Sequence, residues 1–515
     1  MIRPGLERIS RLLIPESLPW KSIHVAGTNG KGSICAYISA MLHAANLGPI
    51  GRFTSPHIID RWDCITVNEQ TISESIFRKI EDQVKQRNDS LSINASEFEL
   101  LTATAFEIFT SEKVRVGVVE CGMGGRLDAT NVLQKPLVTV ISRIGLDHQA
   151  FLGNTLEHIA REKAGIMKHG SPCVVDVQDD ESTLRVLREV ATAQNIPLDV
   201  VKLFPRSSSS IEAKDFEICL FSSDGKMSFT YPDSFGLLLG KDSHGVINIQ
   251  RRNMCCAFRA VTRAMPALGR EEISARSFAP AMKGAMLPGR FQTIDLEPIT
   301  GISGGRALLD GAHNYQAIRN LSKYVGSHLR SREPLPEARP GITWVVALSQ
   351  GKMSKDLFRY ILLKDNVIAV EFGPVDGMPW ARPVPASEIT DIVNEHGPRT
   401  GQLISLGSDV RAALRKASEI AKGTPIVIMG SLYLVSDVLR LLRDAGGETG
   451  MPKSNRIAFP EELVPVETNT LSRSENDVVD VDHVSVESAM QGFFQRPTYP
   501  GPPGEMQARK HYPIH

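Results

Sequence analysis

Residues 24–33 read His-Val-Ala-Gly-Thr-Asn-Gly-Lys-Gly-Ser, and the fold depends on how this stretch is parsed. Before it, Ser22 to Ala26 has the spacing of a short buried strand, with Ile23 and Val25 apolar. After it, Ile34 to Ala45 reads as a helix with Ile38, Met41 and Leu42 on one face. Between them Gly27, Gly30 and Gly32 make a glycine-rich turn around Lys31. Glycines let backbone N–H groups converge on phosphate oxygens, and the helix N-terminus adds a favourable dipole. The spacing is shorter than the common phosphate loop, with two residues between Gly27 and the Gly30-Lys31 pair, and Gly32 precedes Ser33. Taken alone, the stretch also fits a tight strand–helix turn with a solvated lysine.

Working outward, the 515 residues suffice for two to four domains. Lys+Arg and Asp+Glu are both 58, so no global field draws nucleic acid. No apolar run reaches membrane-spanning length. The seven cysteines are scattered without metal spacing, which suits reduced thiols in a cytosol-like compartment. Residues 5–13 read as a short amphipathic helix, with no signal-like apolar core around it.

Downstream, Gly51 to His57 reads as a strand running into a loop, where Ser55 serves either as a metal or phosphate hydroxyl or as a turn residue before Pro56. Ser73 caps a helix expected to end at Val84, with Lys85 to Ala95 as loop. Ser96 and Glu99 form a capping box for the next helix. Val114 to Val119 is a β-branched run, the mark of a parallel strand buried on both faces. It ends in Glu120, where doubly wound folds keep ligands. A buried acid needs a cation, so Glu120 is either a magnesium ligand or an arginine-paired structural acid. Leu137 to Ile141 is the next strand and leads to Asp147-His148, a histidine that residues alone leave ambiguous. Lys163 falls in a helix over about 155–168, where charges ordinarily form the solvated face. Residues 201–245 read as a small antiparallel excursion, and His244 to Ala264 as a helix with Asn253 in its middle. Arg290, in Leu287-Pro-Gly-Arg290, reaches either a nucleotide phosphate or a surface partner. From about 299 strands and helices alternate again, including Ala307 to Leu309 ending in Asp310-Gly-Ala-His-Asn314. The expected fold is α/β: a P-loop-type, mostly parallel ATPase domain over 1–298, then a smaller Rossmann-like α/β domain over 299–447. Residues 448–515 read as a disordered tail.

The motifs taken together resemble the folylpolyglutamate synthase/dihydrofolate synthase family of the Mur-ligase group. They are Gly27-Thr-Asn-Gly-Lys-Gly-Ser33, Thr54-Ser-Pro-His57, Glu120-Cys-Gly-Met-Gly-Gly-Arg-Leu-Asp-Ala-Thr-Asn131, Asp147-His148, Arg161-Glu-Lys-Ala-Gly-Ile166, Leu287-Pro-Gly-Arg290 and Leu309-Asp-Gly-Ala-His-Asn314. They occur in the family's order over about residues 1–445, and the family uses the same short glycine turn. The resemblance implies an ATP-dependent acid–amino-acid ligase that makes an acyl phosphate and then adds L-glutamate. It implies that Gly30, Lys31, Gly32 and Ser33 hold ATP phosphates, and that Ser55, Glu120 and His148 hold Mg2+. Lys163 matches a carbamylated position, Asn253, Arg290 and Asp310 match nucleotide contacts, and His313 stands close by at the reacting end. Asn29 and Leu127 resemble the dihydrofolate synthase and bifunctional bacterial branch, and Asp60 to Ile65 departs from the arginine-glutamate-arginine run of bifunctional enzymes. The acceptor this implies is 7,8-dihydropteroate, with a folate (chain extension, or both activities) as the alternative. The expected partners are these small molecules, with no nucleic acid and no membrane, for a monomer in the cytoplasm or with a mitochondrial pool. A nucleotide-binding regulator and a P-loop kinase are the readings from other classes. The regulator predicts loss of Lys31, Glu120 or His148, and the kinase needs no second α/β domain.

Overall fold

A computed structural model describes residues 5–13, 18–205, 216–221, 227–230, 246–270, 275–285, 287–330, 341–352, 358, 364–396 and 401–450. The tail expected over 448–515 lies outside them beyond residue 450, as does much of the excursion over 201–245.

Two sheets organise the chain. The first comprises β1 (Lys21–Ala26), β2 (Ile50–Phe53), β3 (Ile65–Val67), β4 (Gln70–Thr71), β5 (Val116–Glu120), β6 (Val138–Ile141), β7 (Cys173–Asp176), β8 (Leu198–Pro205), β9 (Phe216–Phe221) and β10 (Met227–Thr230). Their order is β10-β9-β8-β7-β6-β1-β5-β2-β3-β4. The six strands from β8 to β2 are parallel, and both flanks turn antiparallel. The β-branched run at 114–119 therefore becomes β5, the neighbour of β1, with Val25 registered on Glu120. Both its faces are covered, as such a run demands. The Lys31–Ala44 and Val246–Ala264 helices pack on one face around Ile34, Ile38, Met41, Val116 and Val140. The Glu97–Ser111 helix packs on the other, with Phe106 and Phe109 against Trp20.

The second sheet comprises β11 (Gln292–Asp295), β12 (Arg306–Leu309), β13 (Thr343–Val346), β14 (Asn366–Ala369), β15 (Leu403–Ser405) and β16 (Ile426–Met429), in the order β11-β12-β16-β13-β14-β15. Only β11 is antiparallel to its neighbour. The Val410–Ala421 and Leu432–Asp444 helices cover one face, and the Tyr315–Tyr324 and Ala386–His396 helices the other. In both sheets a parallel strand ends at an acid singled out by sequence, Glu120 at β5 and Asp310 after β12, whereas Lys163 and Asn253 lie on helices and Arg290 precedes the antiparallel β11.

The helix capped by Ser73 differs from expectation. It runs from Glu74 to Ser90, six residues past Val84. Its polar end continues the exposed face, and Lys85 pairs with Glu81 one turn back at 3.0 Å. Polarity marked the solvent side of a helix there, not its end. The β2–β3 connection folds into a 3-10 turn, Arg61–Cys64, because Asp63 accepts backbone N–H bonds from Ile58, Ile59 and Asp60 at 2.6–2.9 Å. This connection docks on the second lobe: Ile59 joins its apolar cluster, Arg440 donates to the Ile59 carbonyl at 3.0 Å, and Arg443 pairs with Asp60 at 2.6 Å.

Candidate active site

The glycine turn leaves β1 at Ala26 and enters the Lys31–Ala44 helix at Gly30, which is left-handed at φ +93°. A Cβ on Gly30 would stand 2.5 Å from Asn253 Oδ1, so glycine is required by conformation and by space. Gly30 is the helix N-cap and offers no side-chain bond to the first turn. The first-turn N–H groups of Lys31, Gly32 and Ser33 thus face the turn, the arrangement that receives an anion. Ser33 is half-buried in that turn. Lys31 Nζ lies 3.4 Å from the Thr28 carbonyl and 3.7 Å from Glu120 Oε1.

Glu120 ends β5 and is 4% exposed. Its Oε2 accepts the Ser55 backbone N–H at 3.2 Å. Burial pushes its pKa up, while Lys31, the Ser55 N–H and Arg290 pull the other way. The partner is a lysine, where the structural alternative had an arginine. Gly32 lets this carboxylate come close, since a Cβ there would sit 3.1 Å from Glu120 Oε2. A buried carboxylate oxygen beside a serine and the phosphate turn fits a hard cation, which prefers oxygen ligands. Among the described residues no three His, Cys, Asp or Glu side chains gather as a metal cluster.

Lys163 departs from its expected helix face. It is 4% exposed, and its Nζ donates to the Gly27 carbonyl at 2.7 Å beneath the turn. Burial first, then Lys31, lowers its pKa to about 7. It therefore carries a substantially neutral amine near neutral pH.

Asp147 is a hub. Its Oδ2 lies 3.7 Å from His313 Nε2 and 4.0 Å from His148 Nε2, and its Oδ1 pairs with Lys352. Burial raises its pKa, but His313, His148 and Lys352 overcome this and hold it well below the carboxylate range. His148, left-handed at φ +51°, is pushed down to about 4 by desolvation, with Lys352, Lys31 and Lys163 adding and Asp147 opposing. Sequence reasoning missed Lys352. Its only signal was the polar stretch after β13, and its partner is 205 residues away.

The second lobe contributes the Asp310–Asn314 stretch. Asp310 follows β12 and accepts from Phe291 N at 2.9 Å and Ala312 N at 2.8 Å. Burial raises its pKa against Arg290 and these two bonds. The Arg290 guanidinium lowers the pKa of both Asp310 and Glu120. His313 Nδ1 lies 2.8 Å from the Gly311 carbonyl, which fixes Nδ1 as the donor and turns Nε2 to Asp147. Asn253, 7% exposed, overlies Gly30, and Leu287 overlies Gly32.

A phosphate-receiving turn, a buried acid beside it and a second α/β lobe closing on both define a two-lobed ATP-dependent ligase. Residues 25–234 match the Mur ligase middle domain, and residues 292–441 match the C-terminal domain of dihydrofolate synthetase. A probable dihydrofolate synthetase of Schizosaccharomyces pombe is 37% identical over 457 residues, covering 86% of this chain and 99% of its own. The dihydrofolate synthetase of Saccharomyces cerevisiae is 32% identical, with 85% and 98% covered. The chain belongs to the dihydrofolate synthetase/folylpolyglutamate synthase family. A bifunctional folylpolyglutamate synthase/dihydrofolate synthase solved with Mn, AMPPNP and L-glutamate superposes with a TM-score of 0.65 at 25% identity, over 86% of this chain and 95% of its own. No helix among the described residues is long and apolar enough to cross a membrane.

Proposed function

We propose that this chain joins L-glutamate to 7,8-dihydropteroate, with ATP converting the acceptor carboxylate to an acyl phosphate. The observation that carries the reading is Glu120, a buried carboxylate held beside Lys31 at the mouth of the phosphate turn. The near full-length match to two yeast dihydrofolate synthetases supports the choice of acceptor.

In the first step a carboxylate oxygen bonds to the γ-phosphorus and the bond to ADP breaks. Two anions must meet, so cations have to offset their repulsion. The first-turn N–H groups from Lys31 to Ser33 hold the phosphates and the Lys31 ammonium balances them. Asn253, Arg290 and Asp310 seat the nucleotide from above. Glu120, Ser55 and His148 would hold a divalent ion, proposed as Mg2+, and that ion would supply positive charge at the phosphate oxygens. In the second step the glutamate amine attacks the acyl carbon, phosphate leaves and the amine loses its proton. His313, fixed through the Gly311 carbonyl and Asp147, orients the second lobe's side of this step. The near-neutral Lys163 amine is suited to adding carbon dioxide. The resulting carbamate would place an anion near Lys31. The enzyme is taken to work as a cytoplasmic monomer, with a mitochondrial pool as a second location.

Purified protein supplied with ATP, magnesium and glutamate tests this. Phosphate release with a glutamylated product from dihydropteroate, and none from mono-glutamyl tetrahydrofolate, is the expected outcome. Longer glutamate chains on the folate alone would overturn the acceptor, and ATP binding without product from either would overturn the ligase reading.

A further inference from the structure

The phosphate turn is tied to the second lobe by side chains with no role in the chemistry above. Asn29 Nδ2 donates to Gln316 Oε1 at 2.8 Å and to Asn314 Oδ1 at 3.2 Å. Asn314 Nδ2 returns a bond to Asn29 Oδ1 at 3.0 Å. Gln316 Nε2 donates to Asp179 Oδ2 at 3.2 Å, and Arg143 Nε donates to the same oxygen at 2.9 Å. The Arg143 carbonyl accepts the N–H groups of Thr28 and Asn29 at 2.9 and 3.2 Å. The bonds therefore close a ring: Asn29, Gln316, Asp179, Arg143 and back to the turn. Three of the four members belong to the first lobe and Gln316 to the second.

Position gives the ring its meaning. Asn29 immediately precedes Gly30 and Lys31, and Asn314 immediately follows His313. Asn314 is also the N-cap of the Tyr315–Tyr324 helix, accepting from Ala317 N at 3.0 Å. Thr28 adds a brace. Its hydroxyl accepts from Gly145 N at 3.0 Å and donates to the Gly145 carbonyl at 3.1 Å, on the loop that carries Asp147 and His148. Gln316 also lies over Gly145, where a Cβ would stand 3.2 Å from Oε1. Any shift of the turn is thus transmitted to the start of the second lobe's helix and to the His313 backbone.

We propose that Asn29 and Gln316 are positioning residues that couple occupancy of the phosphate turn to seating of the second lobe, so that the acyl phosphate forms only where water is shut out. Phosphate in the turn fixes Asn29, and Asn29 fixes Asn314 and Gln316. With the ring broken the turn still holds ATP, but the acyl phosphate meets water before glutamate. This inference rests on the ligase reading, and its test separates the two.

The test counts phosphate released per glutamylated product, with full-length protein, ATP, magnesium, glutamate and dihydropteroate. The wild type should release about one phosphate per product, as ligation requires. Asn29→Ala and Gln316→Ala should each raise the ratio roughly 5-fold, the worth of one such hydrogen bond. Their double variant should be no worse than either, because both cut the same ring. Gln316→Glu alone sets a carboxylate against Asp179 and should also uncouple. In both single alanine variants the KM for ATP and the melting temperature should stay at the wild-type values while the ratio rises, a split that a merely structural role would not give. Ratios that stay at the wild-type value in both single alanine variants, or a ratio that rises only together with a weakened ATP KM, overturn the ring. If the wild type makes no product from dihydropteroate, the acceptor reading falls, and if it makes none from mono-glutamyl tetrahydrofolate either, the ligase reading falls. Trypsin protection of the second lobe by a non-hydrolysable ATP analogue then decides the ring, with protection expected in the wild type and lost in Gln316→Ala. Equal protection in both would overturn it.

Discussion

Glu120 and Asp310 occupy the same place in two different sheets: each is an acid at the C-terminal end of a parallel strand, buried, with a pKa raised by that burial. Their surroundings differ. Asp310 spends both oxygens on backbone N–H groups, one from Phe291 and one from Ala312. Glu120 has one backbone N–H, at 3.2 Å, and a lysine at 3.7 Å. One acid is used to shape its loop. The other keeps acceptor capacity turned towards the phosphate turn. Topology places an acid at a ligand site, and the count of local donors decides whether it builds the site or serves it.

Substitutions can break this comparison. The largest effect is expected from Glu120→Gln, which keeps the shape and removes the charge. Turnover should fall by about 10²–10³, in the range of other electrostatic transition-state contacts. The melting temperature should hold or rise at neutral pH. An acid with a raised folded pKa favours the fold below its unfolded pKa and loses that contribution as pH climbs, so removing the charge relieves a cost. Asp310→Asn should do the reverse. Its amide turns a donor towards a backbone donor, so urea unfolding should show a loss of about 1–3 kcal/mol. Activity should fall as well, through the shifted Phe291 and Ala312 backbone and through the nucleotide contact proposed for Asp310.

Lys163 sharpens the contrast from the cationic side. Its pKa of about 7 lies below the ordinary 10.5, so the unfolded chain binds the extra proton between those values. Stability should therefore rise with pH across that window, by a few kcal/mol in all. Lys163→Met should flatten the slope in bicarbonate-free buffer, as read by denaturant unfolding at stepped pH. In bicarbonate, intact-protein mass should show one added carbon dioxide in the wild type alone. The smallest effect belongs to Lys352→Met. Asp147 keeps His148 and His313, so kcat/KM should drop by roughly 5- to 20-fold. The loss should shrink in high salt if the ion pair alone is responsible.

Much of this arrangement was legible in the sequence because its signals are local. Val114 to Val119 declares a doubly covered strand by composition, and Glu120 at its end stands out as an acid without an apolar excuse. Ser96 and Glu99 spell their capping box, which forms as written. Lys163 was legible only through resemblance, since a lysine in the last turn of a charged helix looks solvated, and nothing local shows that the Gly27 carbonyl waits above it. The helical Lys85–Ser90 segment misled for a related reason, because a polar run marks a solvated face as well as a loop. Lys352, Gln316 and Arg61 lay beyond reach. Gln316 meets Asn29 across 287 positions, and Lys352 meets Asp147 across 205. Arg61, 5% exposed, sits between Glu81, Glu97 and the second lobe's Asp376. Such pairs leave no periodicity in the chain between them.

The docking of Ile59 and Asp60 on the Leu432–Asp444 helix has a consequence for how the molecule is made. Arg440 and Arg443 lie 381 and 383 positions after their partners. At about 5–20 residues per second of synthesis, the connection that carries Ser55 emerges roughly 20–80 s before the helix it rests on. The nascent chain can complete the first sheet alone, with the buried face of Ile59 still open to solvent and to chaperones. The loop that carries Ser55 gains these docking contacts only once residues 432–444 have left the ribosome, so the surface of the first lobe is completed by the Leu432–Asp444 helix.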